Sequence, residues 1–152
     1  MALNSPAWAY KSVATLIESG GIVGRLIRLH GALALADEAL CYIRSQDPKT
    51  SDSVEQLISM HGIHMGQIEN LLERHGIPPD SDGNYALTDG PMPEEILNVD
   101  IDNLTPDQAV KAIEQEVCDS YSFALSADGL PLVDRETLLL QRSNLRRLWV
   151  DL

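Results

Sequence analysis

Residues 53–79, SVEQLISMHGIHMGQIENLLERHGIPP, carry the plainest structural signal in this sequence. Val54, Leu57, Ile58, Met65, Ile68, Leu71 and Leu72 recur at the three-and-four spacing of a helix that buries one face. His61 and His64 interrupt that stripe on its buried side, one turn apart, where two imidazoles can be aimed at one point as helical metal ligands are. Gly62 and Gly66, also one turn apart, predict either a close approach of a neighbouring helix or room for a guest. Serines and an aspartate at 51–53 cap the start, and Gly76 with Pro78 and Pro79 stops the helix, which the sequence predicts over 53–75. His75 falls in the last turn, where a cation suits the helix dipole.

Working outward, a second helix is predicted over 22–45, with Leu26, Leu29, Leu33, Ala36, Leu40 and Ile43 on one face and Asp47-Pro48 closing it. His30, Ala34, Asp37 and Cys41 form a flanking row, and a solvated or structural role for His30 and Asp37 outweighs ligand duty. Ser5-Pro6 opens a short helix through Ala7, Val13, Leu16 and Ile17, broken at Gly20-Gly21, so residues 1–21 make an extra N-terminal helix.

Beyond Pro79, residues 80–104 are threaded with Gly, Pro, Asn and Asp and predict a long crossover connection. Thr105-Pro106-Asp107-Gln108 then combines an N-cap, a first-turn proline and a capping-box glutamine. The helix it opens is predicted over 106–127, burying Ala109, Ile113, Val117, Ser120 and Ala124, with Glu116 inside that arc. The last helix, 134–152, places Leu138, Leu145, Leu148 and Leu152 in a seam with Gln141, and Asn144 lies near its edge. No strand signal competes. One all-α domain spanning 1–152 follows: a four-helix bundle of two helix hairpins joined by the crossover.

Composition narrows the partners. A formal net charge of −12 opposes nucleic acid and anionic membranes, and Arg142, Arg146 and Arg147 make only a small basic patch. Cys41 and Cys118 are too far apart in sequence for a zinc knuckle and predict buried reduced thiols. Without a secretory start or an apolar run of about 20 residues, a cytoplasmic protein is expected. Gly20 to Gly24 lacks the preceding strand and following lysine of a phosphate loop.

Three groups of residues carry a resemblance: His64 followed by Ile68, Leu71, Leu72 and Gly76-Ile77-Pro78; Glu116 before Tyr121; and Gln141, Asn144 and Trp149 in the run QRSNLRRLW. In their order on two helix pairs they resemble the ferritin-like superfamily, which includes bacterioferritin, rubrerythrin and several small bacterial proteins. In its metal-active members, two helices each give a glutamate and two each give a Glu-x-x-His pair, together holding two irons. The resemblance puts His61-x-x-His64 at the first such pair and Gln141-x-x-Asn144 at the second, with Glu116 as one single glutamate and Leu35 or Ala34 at the other. Two irons need several carboxylates, which neutral Gln141 and Asn144 do not supply.

Two readings remain. In the first, the chain is a bundle without ferroxidase activity and without a cofactor, acting by binding or protein association, with a polar core network where the metals would be. A homo-oligomer, a dimer, is then expected, with the N-terminal helix and Trp149 as candidate interface and an unidentified protein or small ligand as a further partner. In the second, His61, His64 and Glu116 hold one divalent ion, zinc, manganese or iron, for storage or metalloenzyme chemistry. A hydrolase or transferase using a cysteine has little support, since no histidine is placed near Cys41 or Cys118 by sequence.

Overall fold

The computed structural model describes residues 21–79, 85 and 99–150. The expected N-terminal helix and most of the crossover therefore lie outside the described residues. Among these, four α-helices and no strand are found: α1 (Ile22–Gln46), α2 (Ser51–Arg74), α3 (Pro106–Leu125) and α4 (Leu132–Trp149), with 3-10 turns at Pro48–Thr50 and Ile101–Asn103.

The helix ends follow from local chemistry. Thr105 Oγ accepts the Gln108 backbone N–H while the Gln108 side chain accepts the Thr105 N–H, the expected capping box, which satisfies two donors at the start of α3. At the end of α2, Gly76 takes φ +80°, and Ile77 and Gly76 return their N–H groups to the carbonyls of Leu72 and Glu73. A side chain at that φ is strained, which is why glycine stands there.

Polar cross-links fix the arrangement. Asp37 to His61 and His30 to Glu69 run α1 and α2 antiparallel. Arg25, bonded to the Phe123 carbonyl and Ser126, runs α1 and α3 antiparallel. The short connection from Leu125 to Leu132 turns α4 back along α3, to which Tyr121–Gln141 ties it, and Gln67 to Gln141 with His75 to Asp134 runs α2 and α4 antiparallel. Each helix thus packs against two antiparallel neighbours, and α2 lies diagonal and parallel to α3. The end of α2 and the start of α3 therefore lie at opposite ends of the bundle, about 30 Å apart at ~1.5 Å per helical residue. Joining them requires a long connection, as the composition of residues 80–104 implies.

One apolar cluster joins all four helices, with Leu26, Leu33, Leu57, Leu72, Ile113, Tyr121, Leu138 and Leu145 fully buried. At about 1.5–3 kcal/mol per buried large apolar side chain, this cluster is the main stabilising term. All six residues predicted for the face of α1 are buried. Two expectations are corrected. Gly62 and Gly66 lie on the exposed side of α2, and no described residue comes within 4 Å of a Cβ there, so they do not serve the close approach of another described helix. Cys41 is exposed, and Cys118 alone is a buried thiol. No described helix is long and apolar enough to cross a membrane.

Candidate functional site

Every helix contributes a polar side chain to the interior. From α2, His61 is fully buried; its Nδ1 donates to Asp37 Oδ1 on α1 at 2.8 Å and its Nε2 to Glu114 Oε1 on α3 at 2.9 Å. One ring thereby ties three helices. Asp37 retains 22% side-chain exposure and connects the group to solvent, whereas Glu114 is 1% exposed and its Oε2 has no donor among the described residues. Burial alone would lower the His61 pKa, but the two carboxyl partners outweigh it by hydrogen bonding and charge and raise it to about 9. His61 is therefore an imidazolium at neutral pH, donating from both nitrogens.

One turn on, His64 is in the opposite state. Burial, then the positive charge of His61, lowers its pKa to about 4, so it is neutral. Its Nδ1 lies 3.3 Å from the Tyr121 hydroxyl, which donates to Gln141 Oε1 at 2.8 Å. Since that single hydroxyl proton is committed to Gln141, the network assigns the His64 proton to Nδ1, donating to the Tyr121 oxygen. Gln141 Nε2 in turn donates to Gln67 Oε1 at 2.8 Å and to the His64 carbonyl at 3.4 Å. Burial, followed by the nearby Glu114, pushes the Tyr121 phenol well above its ordinary range.

The structure brings His61, His64 and Gln141 into this interior, but not Glu116. The acid on His61 is Glu114. Glu116 is half-buried, has no side-chain partner among the described residues, and is pushed up by burial and then by Asp119. Asn144 is also half-buried, at the edge of α4, where Arg147 donates to it. Glu114 was legible in principle: Val110, Ile113, Glu114, Val117, Tyr121 and Ala124 form one three-and-four series, and all are buried. Ser120, placed in the arc with Glu116, instead bonds its hydroxyl to the Glu116 carbonyl at 3.2 Å. Asp37 takes the structural role expected for it, bonding His61 while staying partly exposed. His75 pairs at 2.6 Å with the buried Asp134, fastening the end of α2 to the start of α4, a tighter role than a dipole cation.

The donor set does not fit a di-iron centre or a three-ligand ion site. Asp37 and Glu114 occupy different nitrogens of one ring and so cannot both face an ion bound to that ring. Among the described residues no three His, Cys, Asp or Glu side chains are arranged so that they could hold one metal ion. A metal on His61 would also have to displace a proton held with a pKa of about 9, a handicap of about 100-fold at pH 7. Comparison with protein-family models, with curated proteins and with solved structures finds no match.

Proposed function

We propose that this chain is a ferritin-like bundle of the non-ferroxidase kind, which acts by association with a partner and uses its polar interior to fix helix register. The observation carrying this reading is the occupancy of His61: both ring nitrogens are committed to carboxyl groups on two other helices. The helix order supports the ferritin-like part, since two antiparallel hairpins joined along the bundle are what the resemblance implies. The polar core agrees with the resemblance at His61, His64 and Gln141 and departs from it at the acids, where Asp37 and Glu114 stand instead of Leu35 or Ala34 and Glu116.

A network of this kind selects one arrangement of helices, because any slip of α2 by a turn strands His61 between apolar side chains and leaves Glu114 buried without its donor. The single-ion reading through His61, His64 and Glu116 has weaker support, because Glu116 stands off the face that carries the histidines. The test is aerobic addition of ferrous ion to protein purified without chelator, with metal analysis of the same sample. No stoichiometric metal and iron oxidation at the rate of a protein-free control are expected. One or more tightly held ions per chain, or oxygen-dependent turnover of iron, would overturn the reading.

A further inference from the structure

The outward side of α4 carries a second seam, exposed among the described residues. The core seam of this helix runs through Asp134, Leu138, Gln141 and Leu145. On the opposite side, Leu132, Glu136, Leu139, Ser143, Arg146 or Arg147, and Val150 repeat the same three-and-four spacing, the pattern by which one helix packs along another. Leu132, Leu139 and Val150 are 68%, 42% and 53% exposed. The small Ser143 leaves a depression in this surface, lined by Leu139, Arg142, Ser143, Arg146, Arg147 and Val150. Residues 139, 142, 143 and 146 stand at the i, i+3, i+4, i+7 positions that form the hole for a knob from a facing helix.

We propose that a second copy of this chain packs antiparallel along this face, α4 against α4. Centred between residues 139 and 143, the pairing is self-complementary. Leu132 meets Val150 of the second copy, Leu139 fills the depression at Ser143, and Glu136 meets Arg146 and Arg147, each contact occurring twice about a two-fold axis. Charge favours this occupant. Neither Arg146 nor Arg147 has an ion pair among the described residues, although the chain holds 23 acids against 11 lysines and arginines. Two chains of charge −12 repel in general, and the arginine-bearing end of α4 is where approach is least opposed. A parallel pairing would set Glu136 on Glu136 and arginine on arginine. This proposal rests on the associative reading above and supplies its partner, but it is tested by mass, independently of any metal.

Sedimentation equilibrium of the full chain across a wide concentration range should reach twice the 16.7 kDa chain mass. Leu139→Lys, at an exposed position that leaves the core intact, should weaken the dimer by about 10-fold or more. Glu136→Arg and the double variant Arg146→Glu with Arg147→Glu should each dissociate alone and recover a dimer when mixed. In a Cys41→Ser background, Leu132→Cys mixed with Val150→Cys should form a disulfide under mild oxidation, whereas Leu132→Cys alone should not. A wild type that stays monomeric at every concentration, a dimer indifferent to Leu139→Lys, no recovery on mixing, or ready cross-linking of Leu132→Cys to itself would overturn the proposal.

Discussion

Raising the pH from 6.5 through about 9 removes the proton that joins His61 to both Asp37 and Glu114, and the fold should weaken as it goes. In the unfolded chain the imidazole titrates near 6.5, whereas in the folded chain its pKa is about 9, so across this window the native state holds a proton the unfolded state lacks. The stabilisation is complete below pH 6.5 and is lost as the pH rises through 9. At about 1.36 kcal/mol per pKa unit, the loss is of the order of 3 kcal/mol. Because the ring is fully buried, salt should change this little. Urea unfolding between pH 6.5 and 9 reads the loss directly. The Cys118 thiol, pushed up chiefly by burial, adds a loss of the same sign at the alkaline end, so the titration is done in a Cys118→Ala background. Glu114→Gln, which replaces one carboxyl partner by an amide, should shift the loss to lower pH and shrink it. A decline under about 1 kcal/mol, or identical pH profiles for Cys118→Ala with and without Glu114→Gln, would refute the assignment.

On the acid side His64 acts in the opposite sense: its folded pKa of about 4 lies below the unfolded 6.5, so stability present above 6.5 is lost as the pH falls toward 4, by at most about 3 kcal/mol. The stability gap between wild type and His64→Gln should therefore narrow with acidification, and a constant gap contradicts it. Glu114→Ala should cost about 3–5 kcal/mol, since it leaves a buried imidazolium short of a partner, while Glu116→Ala should stay within about 0.5 kcal/mol; comparable losses in thermal melts would return Glu116 to the core. Tyr121→Phe removes the hydroxyl between His64 and Gln141 and should cost about 1–3 kcal/mol by urea unfolding. An unchanged midpoint would remove Tyr121 from the network.

The elements were readable because their signals are local. The Thr105-Gln108 box, the Gly76 stop and the leucine spacing of α1 each depend on a few neighbouring residues, and each reappears in the structure. The site was only half readable, because it depends on helix rotation. Glu114 and Glu116 are separated by about 200° around α3, so choosing Ala109, Ile113 and Ser120 as the centre of the buried arc selected the wrong acid. Val110 and Tyr121, both buried, mark the true centre. For Asp37 the sequence supported a solvated or structural role but could not name its partner: its row on α1 borders the core, and His61 arrives from α2. On α4 the seam of Leu138 and Leu145 is buried as expected, whereas Leu132, Leu139 and Leu140, which that seam does not include, are exposed.

The central claim is that His61 is a proton-bearing link between helices and not a ligand. Nitrogen-15 NMR of the imidazole ring at neutral pH tests it most directly. Both ring nitrogens of His61 should carry protons, the signals should move together only as the pH approaches about 9, and chelator should leave them unchanged. A His61 nitrogen that is unprotonated at neutral pH, with a shift that chelator alters, would contradict the account and make the ring a metal ligand.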